Sequence, residues 1–128
     1  MRLQHIHHIA IICSDYPVSK KFYTEILGFR VLGEYYREDR KSYKLDLALN
    51  NHYTIELFSF PEAPPRRSRP EACGLRHLAF QVANIDETIA ELLRKGVTPE
   101  AIRVDEWTGK RFTFFSDPDQ LPIELYEQ

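Results

Sequence analysis

Ile6-His7-His8-Ile9-Ala10-Ile11, near the start of the chain, returns in its middle as Leu75-Arg76-His77-Leu78-Ala79-Phe80. Each stretch alternates as a β-strand does. His8 and Ala10 then share one face and Ile9 and Ile11 the other, and His77 and Ala79 stand likewise against Leu78 and Phe80. A second pair echoes the first: Thr54-Ile55-Glu56-Leu57-Phe58 and Pro122-Ile123-Glu124-Leu125-Tyr126 each set one carboxylate in the middle of an apolar strand. His8 and His77 are 69 positions apart, and Glu56 and Glu124 are 68 apart. Two spacings that agree so closely over half the chain signify an internal duplication.

In the first half, the strand expected over residues 4–13 carries three histidines, and alternation puts His5 and His7 on the face opposite His8. Ser14-Asp15-Tyr16-Pro17 reads as a helix start, with capping side chains and a proline suited to the first turn. Val18, Phe22, Tyr23, Ile26 and Leu27 supply the apolar stripe of that helix, and Gly28 supplies its stop. Period-two patterns over residues 29–31, 43–49 and 53–60 predict three more strands, separated by a polar run at 37–42 and a turn at Asn50-Asn51. The second half repeats the order. A strand over 75–82 leads to Asn84 as a helix cap with Glu87 three residues on, then to a stripe of Ile85, Ile89, Leu92 and Leu93 ended by Gly96. Strands follow over 101–104, 112–115 and 123–126, the last two joined by a turn at Asp117-Pro118-Asp119-Gln120.

The expected fold class is therefore α+β: two tandem β-α-β-β-β modules, residues 1–60 and 75–128, within one domain spanning 1–128. Residues 61–74 hold four of the eight prolines together with Arg66, Arg67 and Arg69. This is a stiff linker whose arginines are either solvated or reach an anionic group at the mouth of a cleft.

A chain of 128 residues is long enough to bury a core without disulfides. Its net charge of -2 and pI near 6.2 give no electrostatic footprint for nucleic acid or an anionic membrane, which leaves a small molecule as the expected partner. Cys13 and Cys73 are too few for a disulfide framework, and no apolar run reaches signal-peptide or membrane-spanning length. A reduced, cytoplasmic protein is expected, with both cysteines as ordinary thiols.

Two histidines and two glutamates at equivalent points of a repeated unit converge if a pseudo-twofold axis relates the units. A duplicated strand has no packing need to keep ionisable groups there, where burial without a partner costs several kcal/mol. Imidazole nitrogen and carboxylate oxygen together suit Zn, Ni, Co, Mn or Fe(II), so His8, Glu56, His77 and Glu124 are the expected metal ligands.

The His-Ile-Ala-Ile run, Asp15, Ser19, Phe22-Tyr23, Leu27-Gly28-Phe29, Ile55-Glu56-Leu57, Arg76 to Phe80, and Asp117-Pro118-Asp119 before Ile123-Glu124-Leu125 together resemble glyoxalase I and the vicinal oxygen chelate superfamily. Closer still, the chain resembles the short bacterial glyoxalase-like proteins of the YaeR group. The resemblance implies curled mixed sheets around a metal-binding cleft, one divalent ion per site (Ni or Zn first, with Co, Mn or Fe also accommodated), and a homodimer. It also implies a metal-dependent lyase or isomerase that moves a proton next to a metal-bound carbonyl of a small α-oxo or α-hydroxy compound, or of its thiol adduct. Glu124 is the first choice of base and Glu56 the second. An Fe(II) dioxygenase or thiol transferase of the same fold uses only two histidines and one carboxylate, so a fourth ligand at Glu56 argues against both. A small-molecule sequestering protein of this superfamily generally lacks the metal set.

Three positions depart from the pattern. Ile12 and Phe60 stand where bacterial glyoxalase I carries an arginine and an asparagine that help to hold glutathione, and an apolar side chain cannot pair with a carboxylate. Gln120 replaces a turn glycine, at a cost of about 1 kcal/mol if that position needs positive φ.

Overall fold

The β-α-β-β-β order is realised twice in the computed structural model, which describes every residue from Met1 to Gln128. The chain forms two compact units, Met1–Pro65 and Arg66–Gln128. The first contains β1 (Ile9–Cys13), α1 (Tyr16–Lys21) prolonged by a π-turn (Phe22–Ile26), β2 (Arg30–Arg37), a 3-10 turn (Glu38–Arg40), β3 (Ser42–Leu49) and β4 (His52–Ser59). The second contains β5 (Leu78–Val82), α2 (Ile85–Arg94), β6 (Arg103–Val104), β7 (Arg111–Ser116) and β8 (Pro122–Glu127). Each unit is a four-stranded mixed sheet, in the orders β1-β4-β3-β2 and β5-β8-β7-β6.

In both sheets the first strand lies parallel to the last and the remaining pairs are antiparallel. Parallel pairing requires a long crossover, which the helix and the intervening hairpin supply. The duplication is visible in the register: Ala10 stands opposite Glu56 in the first sheet, and Ala79 opposite Glu124 in the second. A methyl side chain opposite each carboxylate leaves that face open.

The alternating apolar residues fill the other face. Leu45, Leu47, Ile55 and Leu57 are fully buried in the first unit beside Phe22 and Tyr23, and Ile85, Ile123 and Leu125 are buried in the second. Each fully buried Leu or Ile contributes about 1.5 to 3 kcal/mol. Asp15 caps α1 by accepting from Val18 N–H, and Asn84 caps α2 by accepting from Glu87 N–H. At the end of α2, Gly96 at φ +81 allows Val97 N–H to reach Leu92 C=O and Gly96 N–H to reach Leu93 C=O, which satisfies carbonyls that the helix leaves over. Gln120 does adopt positive φ, at +68. The buried Asp117 side chain holds this turn by accepting from the N–H groups of Asp119 and Leu121, so that β8 begins in register.

Several expectations are corrected. β1 starts at Ile9 and β5 at Leu78, so His8 and His77 immediately precede their strands instead of lying within them. The ladder to β4 begins at Ile9 opposite Ile55 and that to β8 at Leu78 opposite Ile123, while Arg66 satisfies the carbonyls of Leu75 and Arg76 outside any sheet. Without strand alternation to separate them, His7 and His8 meet, their Nδ1 atoms 2.8 Å apart. β6 is reduced to Arg103–Val104. Val18 and Leu93, expected on apolar helix stripes, are half exposed, and the small Ser19 is buried instead in α1.

Candidate functional site

Each unit brings its histidine to its glutamate. In the first, His8 Nε2 lies 3.7 Å from Glu56 Oε1, and in the second, His77 Nε2 lies 3.1 Å from Glu124 Oε2. Both carboxylates are largely enclosed, with side chains 16% and 13% exposed. The register makes these positions equivalent, because Glu56 faces Asp46 across β3 just as Glu124 faces Phe114 across β7.

Their surroundings differ. Glu56 Oε2 is 3.3 Å from Lys44 Nζ, which also pairs with Asp46 Oδ1 at 2.7 Å. The Tyr53 hydroxyl shares its proton between Asp46 Oδ1 at 2.8 Å and Glu56 Oε2 at 3.0 Å. Burial first, then these two carboxylates, raise the Tyr53 phenol well above its ordinary value, so it remains a donor. Burial pulls Lys44 down, but hydrogen bonds and the fields of Asp46 and Glu56 outweigh it and hold the ammonium charged. The His8 ring is braced by His7 and stands edge-on to Tyr53.

Glu124 has none of this scaffolding. The one ion pair it makes is to His77, whose ring stands edge-on to Phe114 with centroids 5.2 Å apart. Phe112 and Tyr126 stack beside them on the same face. His77 Nδ1 is buried with no hydrogen-bond partner. An orphaned buried polar atom costs about 1 to 3 kcal/mol, which a packing role would not explain. One carboxylate is thus fixed by a cation and a phenol, and its counterpart is free on its apolar side.

Tyr53 was not legible in the sequence. Simple alternation along β4 sets it opposite Glu56, but the β3–β4 register shifts between Leu47 and Ala48, pairing Ile55 with Leu47 and Tyr53 with Ala48. Thr54 is the extra residue, and this bulge turns Tyr53 onto the face of Glu56.

The donor atoms suit a divalent cation. Adjacent ligands at about 2.1 Å from a metal stand roughly 3.0 to 3.4 Å from each other, close to the separations within the two pairs. Neither unit by itself gathers three or more His, Cys, Asp or Glu side chains able to hold a metal, so each offers two donors. The second unit also contains a cavity of about 590 Å³ with His77 and Phe114 in its wall.

The sequence profile described as the Glyoxalase/Bleomycin resistance protein/Dioxygenase superfamily matches residues 5–125. The chain belongs to that superfamily. It is 66% identical over its full length to the uncharacterized protein YwkD of Bacillus subtilis, all of which is covered, and 64% identical to the uncharacterized protein YaeR of Escherichia coli, with 98% of each chain covered. These relatives support the YaeR group within the superfamily. The crystal structure of a glyoxalase family protein from Enterococcus faecalis superposes with a TM-score of 0.92 at 50% identity, covering 99% of this chain and all of the other. A more distant relative, the lactoylglutathione lyase of Schizosaccharomyces pombe, is 26% identical across 96% of this chain and 47% of that enzyme.

The remaining residues singled out in the sequence have these places. Ile12 is 53% exposed, and Phe60 stacks on Phe58 beneath the Arg37 guanidinium, so neither position offers a donor for a carboxylate. Cys13 is buried and Cys73 exposed, and the two form no disulfide. No helix is long and apolar enough to cross a membrane.

Proposed function

We propose that this protein is a metal-dependent lyase or isomerase of the glyoxalase type, which moves a proton next to the carbonyl of a small α-oxo or α-hydroxy compound, free or as a thiol adduct. The observation that carries this is the pair of His–Glu couples, one in each unit at equivalent register, with ring nitrogen and carboxylate oxygen 3.7 and 3.1 Å apart. His8, Glu56, His77 and Glu124 are the residues that would hold one divalent ion, nickel or zinc before cobalt, manganese or iron, the couples meeting within one chain or between two copies. When bound, that ion supplies a Lewis acid that polarises the substrate carbonyl.

The proton falls to the glutamates. Glu124 is the base: it takes the proton from the hydroxyl-bearing carbon beside the carbonyl and returns it to the former carbonyl carbon, while the hydroxyl proton passes to the former carbonyl oxygen. It is free to do so because His77 is its one ionic partner. Glu56, held by Lys44 and Tyr53, is the second choice. The similarity to a lactoylglutathione lyase supports the reaction class, while Ile12 and Phe60 oppose its usual thiol.

Exchange of the hydroxymethylene protons of hydroxyacetone in D2O, followed by NMR, tests the assignment. Glu124→Gln should slow exchange by about 10² to 10⁴ while zinc content stays near that of the wild type. Exchange unchanged in the variant would remove Glu124 from the role. In parallel, the glutathione hemithioacetal of methylglyoxal should react roughly two to four powers of ten more slowly than with a glyoxalase I that keeps both polar contacts.

A further inference from the structure

The cavity of the second unit is lined by five arginines, Arg66, Arg67, Arg69, Arg76 and Arg103, against two glutamates, Glu71 and Glu100. Both glutamates are spent: Glu71 pairs with Arg76 at 2.7 Å and Glu100 with Arg103 at 3.2 Å. Arg103 also lies over the rings of Phe112 and Phe114, and Arg66 is pinned by Ser68 Oγ at 2.7 Å and by Leu75 C=O at 3.0 Å. Arg67 and Arg69 carry none of these anchors and are exposed.

Like charges lining one cavity repel each other, and a linker with only a solvation role would spread them outward. Here they share a wall with His77, and the guanidinium fork matches planar carboxylate or phosphate oxygens. We infer that this cavity binds a dianionic metabolite, an α-oxo or α-hydroxy acid carrying a second carboxylate or a phosphate. Arg67 and Arg69 are its specificity-determining contacts, and the anchored arginines shape the wall. That this ligand is the substrate rests on the role proposed for His77 and Glu124. The cavity also accounts for the departures at Ile12 and Phe60: recognition has moved from those positions of the first unit to the arginine-rich stretch beside His77.

Isothermal titration calorimetry of the EDTA-treated and zinc-loaded protein with 2-oxoglutarate, a dianion, and with pyruvate, a monoanion, tests this. The dianion should bind about tenfold or more tightly than the monoanion, and the advantage should shrink between about 20 and about 200 mM salt. Arg67→Ala/Arg69→Ala should remove the advantage, Arg67→Lys/Arg69→Lys should restore part of it, and Arg94→Ala, on the exposed surface of α2, should leave it intact. Equal affinity for the two acids, or a double alanine variant that still discriminates, overturns the inference. Zinc uptake, read separately, decides the metal centre alone: dianion binding without zinc uptake would sustain the cavity and sink the metal reading.

Discussion

Glu56 and Glu124 occupy the same point of a repeated strand, yet one is gripped by Lys44 and Tyr53 and the other meets only His77. In the function we propose, that asymmetry goes with holding at the first and proton transfer at the second. Tyr53→Phe deletes one hydrogen bond to Glu56 and should weaken zinc affinity by roughly tenfold in a competition titration against a chromophoric chelator. Affinity unchanged in the variant would mean that the phenol does not support the ligand. At this scale the sequence revealed the four ionisable residues through duplication, since two 68- to 69-residue spacings need no coordinates. Tyr53 stayed hidden because a bulge at Thr54 breaks the alternation on which its face was read. The meeting of His7 and His8 was missed for a related cause: alternation was extended to residues that lie outside any ladder.

The elements of the second unit are tied by one arginine. Arg111 on β7 reaches Glu127 on β8 with two bonds of 2.7 and 2.8 Å and Asp86 in the first turn of α2 at 3.0 Å. Glu127 also accepts from Ile85 N–H, so strand and helix start share a carboxylate. Arg111 first, then that N–H, hold the Glu127 carboxyl down to about 2. A depressed carboxylate contributes its stability above its unfolded value and loses it as pH falls toward the folded one. Wild type should therefore exceed Glu127→Gln in urea midpoint at neutral pH, and the gap should narrow from about pH 5 to about pH 2. A gap that stays constant over that window would exclude the clamp. Helix starts were legible, because Asp15 and Asn84 announce them by chemistry alone. Strand lengths were less so, because a strand ends where its partner does and no residue of its own records that.

At the scale of the molecule, each sheet ends in two edge strands, and the first unit exposes Ile12, Val31, Leu32, Tyr35 and Tyr36. A homodimer that covers such surface is the assembly we propose. Light scattering should give twice the chain mass of 15.1 kDa, and a stable monomer at micromolar concentration would refute it. The central claim is that the two His–Glu couples together hold a metal, and elemental analysis of the untagged protein after incubation with Ni, Zn, Co and Mn tests it most directly. The account predicts about one divalent ion per set of four ligands, with uptake abolished in His77→Ala. Fewer than about a tenth of the sites filled by any of the four metals, or full uptake by His77→Ala, would contradict it.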